Sequence, residues 1–181
     1  MSSINLLDIS EDFSKAQHSR RKDYAIVRRG NRKVMAIHLG GIYIECLLKS
    51  IIIRKYGIIK RSPKKISDGS FKFCCWYNQT AVNRIDSLTS ITESDLWANK
   101  VVTNPEHNIV AAFRQISELN NGAPPDVVSA LAYLNKPSNK KYIDYRYMCD
   151  DEINEIVYEK WEESFLTFRD YFNIRKSSFT F

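Results

Sequence analysis

Arg32, His38, Glu45 and Lys49 stand within NRKVMAIHLGGIYIECLLKSIIIRKYG, residues 31 to 57, a stretch that otherwise reads as a buried helix. Metal-free RNA cleavage needs a base for a 2′-hydroxyl, an acid for the leaving oxygen and a cation on the phosphate. His38 suits base or acid, Arg32 a phosphate clamp, and Arg146 a second cation. Six helical positions turn through about 600°, so Arg32 and His38 point about 120° apart and cannot bond each other. They can still border one groove made with another helix. At the seam of a two-fold homodimer, two copies of His38 would share one cleft. The competing reading is packing, with His38 a satisfied histidine beside an apolar stripe. Glu45 and Lys49 are four apart in the stabilising order, worth about 0.2–0.5 kcal/mol on an exposed helix face.

The element that must position these groups is a helix over about 31–56. Val34, Ile37, Gly41, Ile44, Leu48 and Ile52 recur every three or four residues and form one stripe, widened by Leu47 and Ile51. Gly57 fits its C-terminus. Gly40-Gly41 weakens a helix by about 1 kcal/mol per glycine, which implies that another backbone passes close by. Ser10, before Glu11 and Asp12, reads as the N-cap of a helix reaching about residue 28. Residues 58–79 read as a long connection with a short extended piece around an Asp-Gly turn signal. Shorter helices follow over about 80–88 and 94–100, then one from Pro105 toward Gly122 and one from Ala123 to about Asn135. An extended linker leads to the last helix, about 150–173, with Asp150, Asp151 and Glu152 in its first turn. Its apolar stripe is Ile153, Val157, Trp161, Phe165, Phe168 and Phe172.

Charge is unevenly spread. Between Arg20 and Lys65 stand 14 Lys/Arg against Asp23 and Glu45, a net of +12 in a chain of +6, leaving −6 elsewhere. Such a region invites phosphate, or faces the acidic remainder within the fold or across a dimer. Arg28, Arg29, Lys33, Lys60, Arg61, Lys64, Lys65 and Arg146 are the candidate nucleic-acid contacts. Phe71, Phe73, Trp76 and Tyr77 beside the later lysines suit stacking on single strands, or bury as a satellite cluster. His107 reads as a locally bonded helix-start histidine and His18 as solvated. The segment Asp144-Tyr145-Arg146-Tyr147 reads as an ion pair with aromatic packing. None of the four cysteines has zinc spacing, and reduced thiols, no metal and no cofactor are expected. No run of about 18 apolar residues and no secretory signal is found, so no membrane span and a cytoplasmic location are expected.

AIHLGGIYIECLLKSIII resembles the signature helix of HEPN domains, an all-helical nucleotide-binding and ribonuclease family, with Glu45-Cys46-Leu47-Leu48-Lys49 matching its glutamate-to-lysine run. NPEHNI resembles the Gly-His-Asp-Leu-like start of a later helix, with Glu106 at the glycine. YIDYRYMCDDEI resembles the Arg-Tyr segment before the last helix. The resemblance implies an all-α bundle of about five helices in a single domain, 1–181. It implies RNA or nucleotide association in a toxin–antitoxin or defence setting and an antitoxin-like protein partner. A homodimer is expected because the Gly-rich face and the aromatic last helix offer more apolar surface than one small bundle covers. Active members carry Arg-x(4–6)-His near the last helix. Here no histidine follows Asp150, and only Arg32…His38 fits the spacing. Catalysis is therefore left open, with Glu45 and Lys49 as structural motif residues. The alternative is a non-catalytic helical module that docks an acidic protein through its basic region.

Overall fold

The computed structural model describes residues 6–9, 11–65 and 71–179, with side chains for 6–9, 11–62 and 75–179. The protein is mainly helical, with a small sheet that an all-α reading does not contain. Where length suggested one domain, contacts gather into two compact units: Met1–Glu11 with Ile51–Glu106, and Asp12–Ser50 with His107–Phe181.

The first unit holds the sheet. Strands β1 (Leu7–Asp8), β2 (Ile58–Lys65), β3 (Phe71–Asn78) and β4 (Val102–Thr103) pair antiparallel in that order. The expected long connection is thus a hairpin, with Arg61 opposite Trp76 and Ser62 opposite Cys75. One helix, α3 (Gln79–Asp86), is capped by Asn78, and another, α4 (Glu93–Ala98), by a Thr92–Asp95 capping box. Cys75, Tyr77, Ala81, Val82, Ile85 and Leu96 form its core. Trp76 and Tyr77 are buried, which favours packing over base stacking for them. Ser10, the Asp68-Gly69 signal and the side chains of Lys64, Lys65, Phe71, Lys72, Phe73 and Cys74 lie outside the described residues.

The second unit is helical. Helix α1 (Phe13–Arg29) is capped by Asp12, whose carboxylate accepts from the Lys15 N–H at 2.9 Å. Helix α2 (Lys33–Tyr56) runs as expected, with Val34, Ile37, Ile44 and Leu48 buried in this unit. Its last turn, from Ile51, belongs to the first unit and ends at Gly57, which sits at φ +60°. By length and composition α2 could cross a membrane, contrary to the expectation from apolar runs, but 72% of its most apolar window is buried inside the protein.

Three further boundaries differ from expectation. Pro105 does not open a helix; α5 (Ile109–Arg114) starts after the Asn108 cap and breaks before α6 (Ser117–Asn120). After α7 (Pro125–Asn135), the supposed extended linker is a 3₁₀ turn over Tyr142–Tyr147. Helix α8 (Glu155–Arg175) starts five residues late because Asn154 caps it. Asp150 is employed elsewhere: its carboxylate caps the N-terminus of α2, accepting from the Val34 N–H at 2.9 Å. A residue more than a hundred positions away thus satisfies this helix-start donor.

Candidate functional site

The two glycines of α2 explain how its polar groups find partners. A Cβ at Gly41 would clash with the Tyr142 side chain, and one at Gly40 with the Trp161 indole. The close neighbours are therefore aromatic side chains, not a backbone. Bare glycine at 41 lets Tyr142 lie flat against α2, and its hydroxyl then donates to Glu45 Oε2. Glu45 and Lys49 are each 5% exposed, and Lys49 Nζ donates to Glu45 Oε1 at 2.6 Å. The Lys49 ammonium also lies 5.0 Å from the Phe13 ring centroid. The helix pair that the spacing predicts is thus a buried one.

His107 completes the cluster. Its Nδ1–H donates to Glu45 Oε2 at 3.0 Å, so its partner is on another helix, not in its own turn. The local fold delivers it: Asn108 caps α5 through the Ala111 N–H, and the buried Asn135 amide oxygen accepts from the Ile109 N–H, both at 2.9 Å. Glu106, just before it, holds φ +52°, the left-handed conformation natural to glycine. The His107 side chain stays 56% exposed. With Nδ1 committed, its Nε2 is the atom left for chemistry.

His38 attaches to the same tyrosine from the other end, its Nδ1–H donating to the Tyr142 carbonyl over a long 3.4 Å. Burial lowers its pKa first, the carbonyl opposes that, and the charges of Arg146, Arg20 and His107 lower it further. The His38 pKa is thus held below the usual histidine value, which favours the neutral imidazole. Glu45 responds oppositely. Burial pushes its carboxyl up, but the bonds from His107, Lys49 and Tyr142, with the Lys49 charge, outweigh it and hold the group below its ordinary value. Burial and the Glu45 charge push the Tyr142 hydroxyl well above the tyrosine range, so it stays a donor.

The remaining candidates scatter. Arg32, 69% exposed, donates to Asp150 Oδ2 at 2.8 Å instead of bordering the His38 site. Arg28 pairs with Glu162 and Lys33 with Glu155. In the first unit Lys60 pairs with Asp8 at 2.7 Å and Arg61 with Glu11. These pairs realise the reading in which the basic region meets the chain's own acids. Arg29 is exposed, and Arg146 lies over the Tyr147 ring at 4.5 Å. Among the described residues no group of three His, Cys, Asp or Glu side chains has the arrangement to hold a metal.

Residue reading missed Tyr142 and the partner of His107. No local spacing links Glu45, His107 and Tyr142, which lie in separate segments that these contacts join in space. Comparison with family models, curated proteins and solved structures finds no match to the chain.

Proposed function

We propose that this chain is a HEPN-like, RNA-associated domain that cleaves phosphodiesters without needing a metal. What supports the reading is one arrangement: two histidines tied to Tyr142, one through its carbonyl and one through the buried Glu45 that its hydroxyl binds. Neutral His38 accepts the 2′-hydroxyl proton as that oxygen attacks phosphorus. His107, oriented by Glu45, gives its Nε2 proton to the departing 5′-oxygen. The O2′–P bond forms, the P–O5′ bond breaks, and the products are a 2′,3′-cyclic phosphate and a 5′-hydroxyl. Arg146 stabilises the charge that develops on the phosphoryl oxygens. Arg32 has no part in this scheme, because Asp150 occupies it.

The test is cleavage of a fluorescent oligoribonucleotide with product-end analysis. His38→Ala and His107→Ala should each slow the reaction by about 10²–10⁴-fold, while Arg32→Ala leaves the rate within twofold. Equal rates in all three would remove the catalytic assignment. A protein that cleaves nothing yet binds RNA with steep salt dependence would keep only the association. Absence of binding at low salt would leave the reading of a helical module that docks an acidic protein. Whether the occupant is an RNA phosphate or an acidic protein, it would have to displace the internal partners of Arg28, Lys33, Lys60 and Arg61.

A further inference from the structure

The Glu45 carboxylate serves one fixed cation and one titratable ring, through different oxygens. Oε1 accepts from Lys49 Nζ at 2.6 Å. Oε2 accepts from His107 Nδ1 at 3.0 Å and from the Tyr142 hydroxyl. Glu45 and Lys49 are each 5% exposed, so water screens neither charge well. The Phe13 ring, 5.0 Å from Lys49 Nζ, favours a cation at this place. His107 differs: its side chain is 56% exposed and can exchange its proton with solvent or substrate.

Two demands meet at this histidine. An acceptor at Nδ1 selects the tautomer and holds the ring. A lone buried carboxylate in that place would also stabilise the imidazolium and make it a reluctant acid. A general acid works best when its proton affinity matches the operating pH. The Lys49 ammonium resolves the conflict: it cancels the Glu45 charge at short range and leaves the lone pairs of Oε2 in place. Tyr142 cannot do this, because its hydroxyl is held as a neutral donor. Lys49 is the one Lys or Arg paired with Glu45 among the described residues. The other titratable groups around His107 are Glu106, beside it in the chain, and His38 on α2, which the charges of His107, Arg146 and Arg20 all reach.

We propose that Lys49 is a positioning residue for the His107 proton: by neutralising Glu45, it lets that carboxylate orient the ring without holding the proton on it. The consequence for catalysis rests on the cleavage reading above. The effect on His107 rests on the geometry alone. A Lys49 that only packs and pairs makes a different prediction, since the titration of His107 would then be indifferent to the Lys49 charge.

Proton NMR titration of the histidines in the full chain decides, with His107→Ala assigning the resonance. Lys49→Gln keeps a donor for Glu45 but removes the charge, and should raise the His107 midpoint by about half a pH unit or more. Glu45→Gln leaves the ammonium facing the ring and should lower the midpoint. Glu45→Gln with Lys49→Met has no charge at either place and should titrate higher than Glu45→Gln alone. That second comparison carries the test where Lys49→Gln fails to fold. In cleavage assays of Lys49→Gln, the limb of the pH–rate profile that reports loss of the acid should move upward by the same interval. Shifted midpoints in a chain that cleaves no RNA would keep the charge balance and remove the catalytic reading. Midpoints indifferent to the Lys49 charge in both comparisons would overturn the proposal, even if cleavage still depended on His107.

Discussion

Helix α2 carries polar groups at both ends of its run through the helical unit, and the two sets have opposite fates. Near its start, Arg32 and Lys33 reach Asp150 and Glu155 across an open surface, with Arg32 69% exposed. Two turns past the glycines, Glu45 and Lys49 are 5% exposed and share their site with His107 and Tyr142. The ion-pair chemistry is similar; the solvent is not. Exposed pairs gain about 0–1 kcal/mol, because water solvates each partner nearly as well. A buried charge has no such fallback, and loss of its counter-charge is severe. The difference teaches that the cluster is fixed in position, whereas the outer pairs are interchangeable.

The largest expected effect therefore sits at Glu45. Glu45→Ala leaves the Lys49 ammonium buried without a carboxylate, and unfolding stability measured by urea should fall by about 3–5 kcal/mol. Lys49→Met in the same background removes the orphaned charge and should recover much of that loss, so a double-mutant cycle should report strong coupling. Additive losses would mean that the pair is not the unit we describe. Acid should act on the same group. Its carboxyl is depressed below the ordinary 4.5 in the folded protein, so the unfolded chain takes up protons first. The stabilisation is complete above about pH 4.5 and is lost as pH falls through the folded value. His38, lowered from 6.5, has the same sign in a higher window, and stability should begin to decline below about pH 6.5. Glu45→Gln should flatten the lower part of that profile and leave the upper part.

A middle-sized effect should come from Gly41→Ala. One methyl displaces the Tyr142 ring, and overpacking of this kind typically costs about 1–3 kcal/mol. Because Tyr142 offers its backbone carbonyl to His38 and its hydroxyl to Glu45, RNA cleavage should fall together with stability. Gly40→Ala presses on Trp161 instead. It should cost comparable stability while leaving the cleavage rate per folded molecule closer to normal. Equal loss of rate in both variants would blur the distinction between the two glycines.

Much of this is legible in sequence, and what is not has physical reasons. The stripe of Val34, Ile37, Ile44 and Leu48 announces α2, because the 3.6-residue period persists over six turns and burial enforces it. The hairpin was missed although Phe71, Phe73, Cys75 and Tyr77 alternate with period two. A bulge between Ile58 and Lys60 and the lysine-rich β2 mask the matching pattern in the partner strand. The late start of α8 was missed because Asp150, Asp151 and Glu152 resemble first-turn acids. Local sequence cannot say that one of them serves a different helix. The site is the least legible part. Glu45 and His107 lie 62 residues apart, and no periodicity links a carboxylate to a histidine that long-range packing brings to it. The double glycine signals a close neighbour without naming it, and Trp161 and Tyr142 of the same chain fill that place.

The smallest expected effects separate capping from pairing at the start of α2. Asp150→Ala removes the acceptor for the Val34 N–H along with the partner of Arg32, and loss of a cap costs about 1 kcal/mol. Arg32→Ala removes only the exposed pair and should cost less, in the range of about 0–1 kcal/mol. Asp150→Asn keeps an acceptor for the backbone donor and should therefore fall with Arg32→Ala, not with Asp150→Ala. The acid dependence gives a second handle. Burial raises the Asp150 carboxyl, but the Val34 N–H and Arg32 together bring it below the ordinary 3.8. Its contribution is thus complete above about pH 3.8 and is lost as pH falls through the folded value. If Arg32→Ala proved as damaging as Asp150→Ala, the outer pair would carry the helix start. The contrast between an exposed, replaceable set and a buried, fixed one would then fail at its weaker end.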